Sequence, residues 1–161
     1  MSSADKILDA ATLPAWRAQQ RASGRRVVVT NGCFDLLHAG HVSYLESARA
    51  EGDLLLLGLN GDDSVRQLKG PSRPVVPEAD RARVLAALGC VDAVCVFPEV
   101  RAIRFLEVAQ PDVYVKGGDY TIDTINQDER RAVESHGGRI AFIPFLPGRS
   151  TTGLLSKIQK L

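Results

Sequence analysis

His38 and His41 stand three residues apart with Gly40 between them, a spacing that lets two imidazoles point the same way across a first helical turn. Gly40 has no side chain, so an anion can come close to the backbone there. Two such rings can donate hydrogen bonds to a pentacoordinate phosphorus, the chemistry of group transfer at phosphate. The competing reading is blander: one histidine caps the helix and the other is exposed. A metal site needs a third ligand, and the candidates are poor: Asp35 is the nearby carboxylate, and His136 falls in an expected helix end far along the chain.

Other groups suited to phosphate lie elsewhere in the chain. Arg149, Ser150, Thr151 and Thr152 supply a guanidinium, hydroxyls and free amides at the expected start of a last helix, a place that suits a polyphosphate tail. Taken alone, that segment reads as a helix cap beside a solvated cation. Lys69 and Arg73 sit in a Pro/Gly-rich loop, where cations can close over phosphates or simply meet solvent. Lys116, Gly117, Gly118 and Asp119 follow an apolar run directly. Paired glycines there let a base or ribose lie against the backbone while Asp119 accepts from a hydroxyl or amine; a plain turn is the competitor. Asn60 and Asp62 are placed to hold hydroxyls of an acceptor, though Asp62 equally suits a helix N-cap.

These residues need a scaffold that gathers them. β-Branched residues crowd 25–30, wholly apolar residues fill 54–57, and similar runs cover 93–97, 112–116 and 139–143. Between them, helical patterns are expected over 41–51, 78–88, 100–109 and 127–136, with a last helix over 151–160 and a helical lead-in over 4–22. Alternating apolar strands and amphipathic helices predict an α/β, doubly wound, Rossmann-like fold with a five-stranded parallel sheet. The expected division is a helical lead-in over 1–24 and a single domain over 25–161. Ligands of such sheets bind at the carboxyl ends of the strands, so Asn31, Gly32, Cys33 and Phe34, between the first strand and its helix, are placed to meet phosphate with backbone amides and helix dipole.

Composition narrows the field. The 161 residues are 45% hydrophobic and 24% charged, as in an ordinary globular domain. A formal net charge of +1 creates no overall field toward nucleic acid or an anionic membrane. Cys33, Cys90 and Cys95 lack metal or disulfide spacing and fit reduced thiols. No secretory leader or bilayer-length apolar run is visible, so a cytoplasmic location is expected. P-loop, dinucleotide-fingerprint and nucleophile-elbow templates are missing.

Taken together, His38-Ala39-Gly40-His41, the run from Thr30 to Asp35, the run from Leu68 to Val75, Val115 to Tyr120 and Ser150-Thr151-Thr152 resemble the nucleotidyltransferase superfamily marked by His-x-Gly-His. Within it they are similar to the D-glycero-D-manno-heptose 1-phosphate adenylyltransferases. The resemblance covers roughly 27–159 with its motifs in order. It implies transfer of AMP from ATP to heptose 1-phosphate, giving ADP-heptose and pyrophosphate for lipopolysaccharide inner-core synthesis. It further implies a stand-alone enzyme served by a separate sugar kinase. His38, His41, Lys69 and Arg149 would be catalytic. ATP would meet Asn31, Gly32, Cys33, Phe34, Gly40, Lys116, Gly117, Asp119, Ser150, Thr151 and Thr152, and the acceptor Asp35, Asn60, Asp62 and Arg73. Mg²⁺ would arrive with ATP rather than on protein ligands, and a homo-oligomer, at least a dimer, is expected. Cys33 departs from the Thr or Ser that related transferases often carry, which leaves its backbone amide as the contact. The rival readings are a cytidylyltransferase acting on glycerol 3-phosphate or another alcohol phosphate, and a non-catalytic nucleotide-binding regulatory module.

Overall fold

In the computed structural model, which describes residues 2–161, a six-stranded, all-parallel sheet forms the centre of the fold. In chain order the strands are β1 (Ile7–Leu8), β2 (Val27–Gly32), β3 (Leu54–Asn60), β4 (Ala93–Phe97), β5 (Val113–Gly117) and β6 (Arg139–Ile143), and the sheet order is β1-β4-β3-β2-β5-β6. The helices are α1 (Leu13–Ala22), α2 (Ala39–Arg49), α3 (Asp62–Lys69), α4 (Glu78–Ala86), α5 (Ile103–Ala109), α6 (Gln127–Glu134) and α7 (Thr151–Ile158).

The apolar runs are unbroken because both sheet faces are covered. Val27, Val29, Leu54 and Leu56 face one core with residues of α1, α5 and α6, such as Leu13, Phe105 and Val133. Val28, Leu55, Leu57 and Leu59 face the other, with Leu45 and Ala48 of α2 and Leu85 of α4. Alternate residues of one strand thus feed two cores, as the two-residue period of a strand requires.

The chain moves outward from β2 through β3 to β4, then crosses back to β5 on the other flank of β2. The strand order therefore reverses between β2 and β5, where ligands of open α/β sheets bind. Asn31, Asn60 and Lys116 end up near the carboxyl ends of their strands, around that crevice.

The strand count is six rather than the expected five. The added strand comes from the lead-in, expected to be helical: Ile7 and Leu8 pair in parallel with Val94 and Cys95. Two residues carry no readable period, and their conformation is set by the free edge of β4. Lys6 clamps this stretch by donating to the carbonyls of Val91 at 2.8 Å and Leu88 at 3.3 Å. Buried Arg17 ties α1 to the end of α5, donating through Nε to the Ala109 and Gln110 carbonyls and through Nη2 to Asp112 at 2.9 Å. Helix α3 is a further element, signalled in the sequence only by the fitness of Asp62 for a helix N-cap; Gly61 is the N-cap residue and Asp62 begins the helix. It is polar, burying only Ser64 and Val65, and it places Lys69 at a helix end rather than inside the loop.

Candidate active site

The N-termini of α2 and α7 converge with the carboxyl ends of β2, β3 and β5 on a cavity of about 550 Å³. His38 is the N-cap residue of α2, in extended conformation, and its side chain makes no capping bond. Its ring instead stacks on His41, with centroids 3.9 Å apart and planes at 23°. Burial lowers both imidazole pKa values. For His41, burial and then the neighbouring His38 push it down to about 4; for His38, burial is followed by the charge of Arg149. Both rings are therefore neutral at pH 7. Both Nδ1 atoms are buried without a hydrogen-bond partner, an uncompensated cost of the kind found where a ligand is expected.

Gly40 is required by the packing here. A Cβ on it would lie 2.9 Å from His38 Nδ1 and 3.0 Å from the Cβ of Arg149, so only glycine lets the α7 loop close on α2. Ser150 caps α7, its Oγ accepting from the Gly153 amide at 2.9 Å, and Thr151 donates to the Leu36 carbonyl at 3.1 Å. The capping interpretation of Ser150 thus holds, and the same bonds pin the second helix N-terminus beside the first. Two helix dipoles and exposed Arg149 bias this end of the cavity toward anions.

The carboxylates lining the cavity are already engaged. Asp35 accepts from the amides of Val75 and Val76 at 2.9 Å and from Arg73 Nε at 2.5 Å. Burial alone would raise its pKa, but these bonds outweigh it and hold the carboxyl below its ordinary value. Glu129 lies against Lys116 at 3.4 Å. Lys69, Arg101 and Arg149, which also line the cavity, are exposed and meet no carboxylate among the described residues. The site thus combines unspent positive charge with neutral donors.

Seventeen expected residues line this one cavity: His38, His41, Lys69 and Arg149; Asn31, Gly32, Cys33, Phe34 and Gly40; Lys116, Gly117, Ser150, Thr151 and Thr152; and Asp35, Asn60 and Arg73. Asp62 and Asp119 are not among its lining residues. Asp62 is turned to Arg81, which it meets at 2.7 Å, and Asp119 is exposed. The Asn60 side chain donates to Ser64 Oγ at 3.2 Å and to the Glu99 carbonyl at 3.3 Å. The Cys33 thiol is neutral, because burial raises its pKa against the pull of Lys69, Arg81 and Arg73.

The sequence reading did not assign Tyr44, Arg101, Tyr120, Glu129, Phe145 or Leu146, which also line the cavity. Tyr44 is buried at the seam of α2, β2 and β5, sharing a 2.7 Å hydrogen bond with Thr30 and donating to the Val115 carbonyl at 3.2 Å. Phe145 lies over Gly117 and Gly118: a Cβ on Gly118, whose φ is +89°, would come within 2.7 Å of its ring. The glycine pair was expected to admit a flat group, and in this structure the flat group is Phe145. The signal for Tyr44 was available, since it falls one helical turn after His41; Phe145 lies outside any periodic element.

The cytidylyltransferase-like family model matches residues 29–147, which runs from within β2 to beyond β6. The chain is 54% identical over 143 residues to the bifunctional protein HldE of Geobacter sulfurreducens, covering 89% of this chain and 29% of that protein. It is 54% identical over 155 residues to the bifunctional protein HldE of Methylobacillus flagellatus, covering 96% and 31%. The chain therefore spans about three tenths of the length of the curated relatives it matches. Among solved structures, the fold is shared with a lipopolysaccharide core biosynthesis protein from Thermoplasma volcanium, at TM-score 0.62 and 24% identity over 76% of this chain and 98% of that one. It is also shared with a pantoate-beta-alanine ligase from Francisella tularensis, at TM-score 0.54 and 14% identity over 96% and 72%. The chain belongs to the cytidylyltransferase-like family of nucleotidyltransferases.

Proposed function

We propose that the chain transfers AMP from ATP to D-glycero-D-manno-heptose 1-phosphate, releasing pyrophosphate and supplying ADP-heptose for lipopolysaccharide inner-core synthesis. The observation that carries this reading is the meeting of two helix N-termini, two stacked neutral imidazoles and three uncompensated cations in one cavity. The similarity to the HldE proteins and the run of heptose-type motifs support the choice of acceptor.

An acceptor phosphate oxygen attacks the α-phosphorus in line, the bond from that phosphorus to the bridging oxygen breaks, and pyrophosphate leaves. The attacking phosphate is already an anion at neutral pH, so catalysis reduces to positioning and charge stabilisation. His38 and His41 hold the α-phosphate oxygens, Lys69 bridges phosphates, and Arg149 with Ser150 to Thr152 stabilises the departing pyrophosphate. Arg73, fixed by Asp35, and Asn60 face the acceptor. A divalent ion, Mg²⁺ in this reading, would arrive with ATP and neutralise part of its triphosphate charge.

Residues 25–161 form the transferase domain in this proposal, working in the cytoplasm as at least a dimer. Among the described residues no helix is long and apolar enough to cross a membrane. The test is pyrophosphate release with Mg²⁺, comparing ATP with CTP across heptose 1-phosphate, glycerol 3-phosphate and no acceptor. Release that requires both ATP and the heptose phosphate supports the proposal. A CTP preference keeps nucleotidyl transfer and overturns the substrate, and ATP binding without release under any acceptor favours a regulatory module.

A further inference from the structure

Glu129 is an anomaly in a cavity built for phosphate. It belongs to helix α6, whose other buried residues are the apolar Ala132 and Val133; its side chain is only 5% exposed, and it lines the cavity. An anion so close to a triphosphate site repels the ligand unless the part of the ligand it faces carries hydrogen-bond donors. One carboxylate oxygen accepts from the Ala102 amide at 3.3 Å, and the other meets Tyr114 Oη at 3.2 Å and Lys116 Nζ at 3.4 Å. These contacts sit at or beyond the long end of hydrogen-bond geometry, and an ionised carboxylate offers about four acceptor positions. Glu129 is therefore held in place with acceptor capacity to spare.

Its location says what would use that capacity. Lys116 Nζ is 3.5 Å from Asn31 Oδ1, at the edge of the phosphate loop, and 5.5 Å from the ring centre of Tyr120. Tyr120 and Phe145 are exposed aromatic residues that also line the cavity, 47% and 60% accessible. A nucleotide with its phosphates at His38 and His41 and its base among these rings passes the Lys116–Glu129 pair with its sugar. A ribose hydroxyl is a donor, and a carboxylate accepts from it strongly.

We propose that Glu129, held by Lys116, accepts a hydrogen bond from a ribose hydroxyl of the bound nucleotide and thereby selects ribonucleotides over deoxyribonucleotides. It fills the role expected of Asp119, which is exposed and does not line the cavity. The inference rests on the nucleotidyl-transfer reading, but its test reads nucleotide binding alone, so a wrong acceptor leaves it intact.

The experiment is calorimetric titration of ATP, 2′-deoxy-ATP and 3′-deoxy-ATP, with Mg²⁺ and no acceptor, into the wild type and Glu129→Gln. Gln keeps the shape and can still accept from Ala102, while it turns the oxygen nearest the ligand into a donor. The wild type is expected to bind ATP about ten- to a hundredfold more tightly than at least one deoxy analogue, the usual worth of a hydrogen bond to a charged group. Glu129→Gln should bring that ratio close to one. A purely structural salt bridge would lower the melting temperature and leave the ratio unchanged, which overturns the proposal, as does a wild type that binds all three alike. Should Glu129→Gln fail to fold, Glu129→Asp, which keeps the charge but shortens the reach, gives the second reading: a reduced ratio supports the role and an unchanged one overturns it.

Discussion

Two corners of the molecule, one beside the cavity and one within it, use cationic side chains in opposite ways. On the β3 side, the Arg81 side chain has no exposed surface and is fully occupied: Nε donates to the Val76 carbonyl at 2.9 Å, Nη1 to the carbonyls of Cys33 and Asn60 at 2.6 and 2.9 Å, and Nη2 to Asp62 at 2.7 Å. Arg73 is similarly committed to Asp35. On the α2–α7 side, exposed Arg149 has only a long 3.5 Å contact to the Gly148 carbonyl, and two buried imidazole nitrogens have no partner. Groups whose partners come from the protein hold the loops together, whereas groups left without partners at a cavity wall are kept for a ligand. The first corner should fail in stability and the second in turnover.

The largest expected effect belongs to the first corner. Arg81→Ala removes a fully buried guanidinium from the buried Asn60 carbonyl, the part-buried Val76 and Cys33 carbonyls and the Asp62 carboxylate, and losing one partner of a buried charged network typically costs about 3–5 kcal/mol. Urea unfolding should show that loss, together with faster proteolysis of the 70–77 segment whose Val76 carbonyl the guanidinium holds. A loss below about 1 kcal/mol, the range of exposed ion pairs, would mean that water replaces Arg81 freely, and the contrast between the corners would collapse.

His41→Ala is the converse experiment. Removing a donor aimed at developing charge typically costs about a hundredfold or more in kcat. The protein loses a ring that carries an unsatisfied buried nitrogen, so its melting temperature should hold steady or rise. A variant that turns over normally would reduce the stacked pair to packing.

How much of this was legible depended on whether a residue's role was local. Five strands were readable because burial on both faces forces uninterrupted apolar runs, as in Leu54 to Leu57. Ile7 and Leu8 were not, because their pairing comes from an edge nearly ninety residues away in sequence. The histidines and the Ser150 cap were legible from position, each opening a helix after a strand. Asp35 and Asp62 were read as acceptor contacts because a sequence shows carboxylates without showing the arginines that neutralise them. Glu129 was hidden for the opposite reason. In Gln127–Glu134 it is one acid among several charged residues, and only the packing of α6 against α5 and β6 turns it inward.

The smallest effect, and the one that most sharpens the contrast, is a proton. In the free protein His41 is held at about 4, below its ordinary 6.5. A depressed histidine contributes its stability fully above the unfolded value and loses it as pH falls toward the folded one. Unfolding free energy should therefore decline between pH 6.5 and 4. A triphosphate against the same rings favours the cation instead and raises the bound-state pKa. With centroids 3.9 Å apart, both rings cannot charge together, so nucleotide binding near pH 6 should take up at most one proton. Titration in two buffers of different ionisation enthalpy measures that uptake, which should shrink in His41→Ala. Binding without proton uptake would make the imidazoles neutral donors throughout and leave Lys69, Arg101 and Arg149 to carry all the charge that the phosphates meet.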